Sequence, residues 1–290
     1  GPRRRAFWTQ YYFDIGPKAL AKGKGAVEAA LHYLLADHVN DTQKGGHVTF
    51  VGAGPGDPEL LTLKARKALH DADVVIHDGL VPGEIIELAR RYAELIAVAK
   101  PAAGPSWKQD DTNSLPLEHG ANARVVRLKS GDSGIFGRLD EETDALDAAH
   151  IAYDVIPGIT AAVAAAASMG VRLTRRGRNS ALQILTGHDL KGFAEQDWRA
   201  LVGPGAVSAI YMGKKSARFV QGRMLMHGAA PELHVSLVFT ASRHDQRVVS
   251  ATLSELARII EGEGPAILFT GLAPKSATQP ALIQEARHAR

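Results

Sequence analysis

The chain has 290 residues, 45% hydrophobic and 22% charged, which is room for two ordinary globular domains; a formal net charge of +3 is too mild to argue for nucleic acid. No apolar run reaches the ~18 residues of a membrane span, and no secretory signal is read at the start, so no membrane partner is expected. The absence of cysteine excludes disulfides, thiolate nucleophiles and cysteine metal sites and fits a reducing cytoplasm, while the histidines never fall in an H-x-x-x-H spacing, so no metal is expected.

In chain order, residues 1–45 hold Arg3-Arg4-Arg5, the aromatic cluster F-W-T-Q-Y-Y-F and a predicted helix from Lys24 to Leu35. A floppy basic extension is one reading of this segment. Val48 to Val51 then reads as a buried strand, broken by Gly52, Gly54, Pro55 and Gly56. Asp57 is a good N-cap, Pro58 suits a first helical position, and Leu60, Leu61, Leu63, Ala65, Ala68 and Leu69 supply an apolar helical face. A strand, a glycine-rich turn and a helix bring backbone N–H groups close to a ligand, or simply make a tight connection. The glycines fall G-x-G-x-G, not G-x-G-x-x-G, and no Gly-Lys-Ser/Thr ending follows, so neither a dinucleotide site nor a phosphate loop is expected.

Further strands are predicted at Ala72 to His77, Leu95 to Val98, Ala123 to Leu128 and Tyr153 to Ile156, with helices at Glu84 to Tyr92, Asp110 to His119 (interrupted by Pro116) and Leu139 to Ala149. This alternation predicts a mostly parallel sheet covered by helices. Asp78 and Lys100 stand where strands end, a place for functional residues, although an N-cap and a solvated loop explain them equally. Residues 129–138, K-S-G-D-S-G-I-F-G-R, form a second glycine-rich loop. After Pro157-Gly158 comes a small-residue helix, Ala161 to Met169, then strands at Ala181 to Thr186, Ala206 to Met212, Val235 to Thr240, Gln246 to Thr252 and Ala266 to Gly271, with helices at Ser216 to Met226 and Leu253 to Glu261. This second half reads as a mixed sheet, and the tail from Lys275 as polar and frayed.

V-G-A-G-P-G-D-P-E-L-L-T-L-K-A resembles the opening signature of the tetrapyrrole methylases, and within them the branch that acts on uroporphyrinogen III and forms part of fused siroheme synthases. V-I-H-D-G-L-V, R-V-V-R-L-K-S-G-D-S-G-I-F-G-R, V-I-P-G-I-T-A-A, V-R-L-T-R-R-G, L-T-G-H, I-Y-M-G, D-Q-R-V-V and G-P-A-I-L follow in the family's order, so the resemblance spans roughly residues 46–273. It implies a two-domain α/β fold, the class III methyltransferase fold, with the active site in the interdomain cleft. Residues 1–45 would be a connector that dimerises, 46–157 and 158–275 the two α/β domains, and 276–290 a polar tail. The nucleotide-binding dehydrogenase half of the fused proteins is not in these residues. The implied partner is a second copy, the implied cofactor S-adenosylmethionine (S-adenosylhomocysteine after transfer), and the implied reaction two successive methyl transfers onto ring carbons of uroporphyrinogen III, giving precorrin-2.

By motif, Pro55, Ser130, Gly131, Asp132, Ile135, Thr160, Ala161, Met212, Ala241 and Ala266 would line the cofactor. Asp78 would accept a proton and Lys100 donate one. The polycarboxylate substrate calls for arginines as forked partners, with Arg138, Arg175 and Arg176 as candidates. The chain departs from the family where S-G-D-S-G replaces G-G-D-P-F, where F-T-A-S (Phe239 to Ser242) replaces E-N-A-T, and around Lys100 and Pro116. These departures keep two alternatives open, a methylase of a later cobalamin precursor and a non-catalytic dimerisation or channelling module.

Overall fold

The computed structural model describes residues 7–41, 46–98, 109–189, 191–275 and 284–285. The first sheet has strands β1 (His47–Gly52), β2 (Val74–Asp78), β3 (Glu94–Val98), β4 (Arg124–Lys129) and β5 (Ala152–Ile156), all parallel, in the order β3-β2-β4-β1-β5. Parallel pairing needs crossovers, which helices supply. Val48, Phe50, Val74, Ile76 and Val125 pack on one face, and Val51, Val75, Val126 and Leu128 on the other. Both faces are therefore covered, as near-continuous apolar strands require.

A helical segment from Tyr11 to Leu20 precedes the first sheet and packs against α1 (Lys24–Asp41), leaving Tyr12, Phe13 and Tyr33 exposed. After β1 a short turn leads into α2 (Leu63–Asp71), which Thr62 caps through the Ala65 N–H at 3.1 Å. Further helices are α3 (Gln109–Gly120), α4 (Leu139–Ala148), α5 (Ala161–Ser168) and α6 (Gly213–Met226). Several expected helices come out differently: the Asp57-Pro58 cap opens only a 3-10 turn, Pro58–Leu60, and Leu61 breaks it from α2. Pro116 lies inside α3 rather than ending it. The helix expected over 84–92 is one turn, Gly83–Ile86, which closes through tighter bonds from Leu88 N to Ile85 O and Ala89 N to Ile86 O. Leu253–Arg258 is a 3-10 segment with a Thr252–Glu255 capping box.

The second sheet has β6 (Gln183–Thr186), β9 (Ser208–Tyr211), β10 (His234–Phe239), β11 (Arg247–Thr252), β12 (Ala266–Thr270) and β13 (Gln284–Glu285), in the order β13-β11-β10-β12-β9-β6. Only β6 and β9 run parallel, so it is mixed, and a hairpin of β7 (His188–Asp189) and β8 (Gly192–Phe193) follows β6. Gln284–Glu285 pair with β11, while the rest of the tail lies outside the described residues. No helix among the described residues is long and apolar enough to cross a membrane.

Asp73 ties the N-terminal ends of β2 and β4, accepting from Arg124 N at 3.2 Å and Nε at 3.3 Å and from Arg90. Burial pushes its pKa up, but the Arg124 bonds and the Arg124 and Arg90 charges outweigh burial, and the pKa is lowered. That stabilisation is present above the unfolded aspartate value of ~3.9 and is lost as pH falls through the lowered folded value. Asp73→Asn should flatten the acid limb of stability measured by urea unfolding; an unaltered limb would remove this role.

Candidate active site

Alternation along the strands builds one half of the site. In β2, Val74, Ile76 and Asp78 face the same side; in β4, Val125, Arg127 and Lys129 do. The register sets Ile76 beside Arg127 and His77 beside Leu128, so Asp78 ends its strand next to the Arg127–Lys129 pair. α4 covers this face with Leu139, Glu142 and Leu146, spaced three and four apart. Arg127 Nε donates to Glu142 Oε2 at 2.7 Å and its Nη2 to Asp78 Oδ1 at 2.6 Å, and Lys129 Nζ donates to Glu142 Oε1. The side chains of Arg127, Lys129 and Glu142 are 2%, 5% and 1% exposed, whereas Asp78 is 31% exposed, so only the aspartate of this cluster opens outward. Burial works against the Arg127 charge, but Asp78 and Glu142 outweigh it and raise its pKa. Burial, helped by the neighbouring Arg127, pushes Lys129 below the usual lysine range against the pull of Glu142 and Asp78.

The glycine turns build the other half, at the C-terminal ends of β1, β4 and β5. Gly54 and Gly131 form a bridge, with Gly131 N to Gly54 O at 2.8 Å and Gly54 N to Gly131 O at 3.0 Å. A Cβ on Gly158 would lie 2.2 Å from Gly131 O and 2.8 Å from Gly52 Cα, so this approach admits no side chain. Gly131 has φ +70°, and a Cβ there would stand 3.9 Å from Ala161 N and 4.0 Å from Thr160 Cα. The Thr160 hydroxyl meets the Tyr211 hydroxyl, which also accepts from Ala162 N at 3.0 Å and so caps α5 from the second lobe. The Phe136 ring lies 5.3 Å from that of Tyr211.

The second lobe closes the ring of contacts. Met212 follows β9, Ala241 follows β10 and Ala266 opens β12. Phe239 pairs with Ala266, and Met212 leaves the Tyr211 end of β9 with a left-handed backbone. Ala241 and Ala161 share one apolar cluster with Tyr211. Asp57 N donates to Ser242 Oγ at 3.1 Å, Arg243 donates to Leu80 O, and Arg243 Cγ fills the space of a Gly56 Cβ. Phe136, Arg138, Met212, Thr240 and Ser242 all have positive φ, a clustering of backbone strain around one cleft that fits a functional site.

Gly131 thus approaches Thr160 and Ala161, Asp132 is tied to Gly158, Ala161 and Ala241 share one apolar cluster and Ala266 pairs with Phe239; Pro55, Ser130, Ile135 and Met212 sit on the turns that carry these contacts, and Asp78 ends β2 against Arg127. The Asp132 carboxylate accepts from Gly134 N and Gly158 N, each at 2.9 Å, and so ties the two loops together. Arg138 makes a fork with its own helix's Glu141 at 2.6 and 2.7 Å. Arg175 and Arg176 stand apart from the ring: with Arg178, Pro204 and Gly205 they line a separate basic cleft of about 440 Å³. Their loop touches Gly205, before β9, whereas Met212 follows β9, so the strand's length separates them within one copy. Lys100 lies outside the described residues. Sequence reasoning missed Arg127, Lys129, Glu142 and Tyr211. Arg127 and Lys129, two same-face cations at i and i+2 among Val125, Val126 and Leu128, were the available signal, because a buried strand face carrying them needs an acid opposite.

Two expected results belong here. Gly131→Val should abolish ligand binding in the cleft, since it needs a left-handed backbone and fills the approach to Thr160; calorimetry with S-adenosylhomocysteine showing normal affinity would refute that wall. Arg243→Ala should speed release of the same ligand, because it cuts a tie between the lobes; an unchanged off-rate in stopped flow would show the tie to be idle.

Residues 47–257 match the family described as Tetrapyrrole (Corrin/Porphyrin) Methylases. Siroheme synthases of Psychromonas ingrahamii and Edwardsiella ictaluri are 41% and 42% identical over 272 residues, 93% and 92% of this chain. The chain spans only 57% and 58% of those two relatives. The structure of uroporphyrin-III C-methyl transferase from Thermus thermophilus, complexed with S-adenyl homocysteine, superposes with a TM-score of 0.67 at 34% identity, covering 78% of this chain and 97% of that one. A cobalt precorrin-4 methyltransferase superposes with a TM-score of 0.69 at 24% identity over 78% of this chain and 94% of that one, a likeness of fold alone. The match over residues 47–257, the identity to the siroheme synthases and the superposition agree, and the chain belongs to the tetrapyrrole (corrin/porphyrin) methylase family, with its two-lobed α/β class III methyltransferase fold.

Proposed function

We propose that this chain is an S-adenosylmethionine-dependent C-methyltransferase that methylates uroporphyrinogen III at two ring carbons to give precorrin-2, as a cytoplasmic homodimer whose lobes divide at Pro157–Gly158. The observation that carries it is the chain of contacts from Gly54 through Gly131 and Thr160 to Tyr211, with Ala241 in the Tyr211 cluster and Ser242 holding Asp57, together with an outward-opening aspartate at the end of β2.

The cleft residues fit the cofactor. Gly54, Pro55, Gly131, Ala161, Ala241 and Ala266 present bare backbone and small apolar groups, which accommodate adenine, ribose and a methionine chain without a competing side chain. When bound, the cofactor supplies an electrophilic methyl group on a positive sulfur. Leu80, Phe136 and Met212 are large, apolar and exposed, at 52%, 45% and 49%, and lie beside the cleft, a fitting platform for the flat face of a macrocycle. Positioning is the main task of the protein, because methyl and carbon must meet in line.

Proton removal from the methylated ring falls to Asp78. Arg127 holds its Oδ1, which leaves Oδ2 as the accepting atom. Arg138 is the arginine best placed to meet a substrate carboxylate, exchanging Glu141 for it. Arg175 and Arg176, in the basic cleft before β9, keep their substrate role by motif alone. Lys100 keeps its proposed donor role by motif alone. Incubation with uroporphyrinogen III and labelled methyl donor tests the reading. Two methyl groups per macrocycle are expected. Cofactor binding without transfer would point to a non-catalytic module, and transfer only to a later precursor would point to another methylase.

A further inference from the structure

We infer that Glu142 and Lys129 are positioning residues: acting through Arg127, they fix the carboxylate of Asp78 at the cleft. This rests on the methyltransferase reading and goes beyond it. Arg127 has all three guanidinium nitrogens engaged: Nε and Nη2 on Glu142 at 2.7 and 3.3 Å, Nη2 also on Asp78 at 2.6 Å, and Nη1 on Leu128 O at 3.3 Å. Its planar fork therefore has one orientation, and that orientation decides where Asp78 Oδ1 sits. Arginine does not give up its proton, so the chain is a clamp and not a proton relay.

Lys129 completes it. Its ammonium holds the Glu142 Oε1 that Arg127 Nη2 touches, and it lies under the second glycine loop, with Cε 3.3 Å from where a Gly137 Cβ would be. The cluster pairs two cations with two carboxylates, all but Asp78 withdrawn from water. A buried ionic group of this kind is often replaceable by apolar side chains without loss of stability. Its position at the end of the central strand, pinning the one member that opens to the cleft, is what assigns it a role in the chemistry.

The test uses the full chain with Glu142→Gln, which keeps shape and removes charge. It should bind S-adenosylhomocysteine in calorimetry as the parent does, yet lose about 10- to 100-fold in kcat, the range a small misplacement of a reacting group produces. Asp78→Asn with Glu142→Gln should be no slower than Asp78→Asn alone, since Glu142 works only through Asp78. Multiplying losses, or parental kcat in Glu142→Gln, would overturn the assignment. Should Glu142→Gln not fold, Lys129→Met with Glu142→Gln removes both charges together and is judged by the same kcat and additivity criteria. Independently of turnover, the Asp78 carboxyl carbon resonance, identified by its loss in Asp78→Asn, should shift in whichever variant folds. A resonance that stays in place would overturn the proposal even if the parent transfers no methyl group, which is the separate failure of the parent reading.

Discussion

Asp78→Asn should lower kcat by about 10²-fold or more, the usual loss with a general base, while leaving cofactor affinity unchanged. The asparagine keeps an oxygen for Arg127, so the buried cluster retains its partner and the fold is not the variable. What is lost is the basic Oδ2. Asp78 ends β2 against Arg127 of β4, and β4 stands between it and β1, from which the Gly54–Gly131 bridge extends. A split result is therefore required: turnover falls and calorimetric affinity for S-adenosylhomocysteine does not. Parental turnover would remove Asp78 from the mechanism, and a parallel fall in affinity would make it a structural residue.

Arg127→Met should cost about 3–5 kcal/mol of stability, the penalty for breaking a buried charge pair from one side. Methionine matches the length of the stem but leaves Glu142 with Lys129 as its remaining cation and releases Asp78 Oδ1. The same change removes the neighbouring charge which, after burial, holds Lys129 below the usual lysine range. Chemical denaturation would measure the loss. A value below about 1 kcal/mol, as at an exposed ion pair, would show that the cluster is effectively solvated and that neither Glu142 nor Arg127 bears on the fold.

Much of this molecule is legible in its sequence because the information is local. The strand and glycine turn from Val48 follow from β-branched residues and three glycines, and the structure starts β1 one residue earlier and ends it one later, but the Asp57-Pro58 cap opens only the 3-10 turn Pro58–Leu60, and the helix starts at Leu63 under Thr62. The parallel first sheet follows from its alternation with helices, and the family follows from ordered motifs. Where local rules compete, they mislead: Leu88 to Ala93 has helical composition, yet the chain turns there to deliver β3 to the sheet edge.

The site divides the same way. Gly54 and Gly131 were identifiable as residue types suited to a close approach, because φ freedom and size are properties of single residues, whereas Thr160 was named by motif alone. That they touch is a fact of three strands ending together, and that Tyr211 caps α5 is a fact of one lobe meeting the other. Arg127 and Lys129 read as ordinary strand-end cations until β4 is seen in the middle of its sheet, with Glu142 of α4 lying over it. Arg175 and Arg176 were named by motif, and only the fold sets them with Pro204 and Gly205 in a basic cleft before β9. Sequence alone determined which elements form and which chemistry they resemble, since propensity, capping and backbone freedom act over a few residues. Tertiary structure alone decided which charges are buried and which side chains share the cleft, since burial and contact depend on partners far away in the chain.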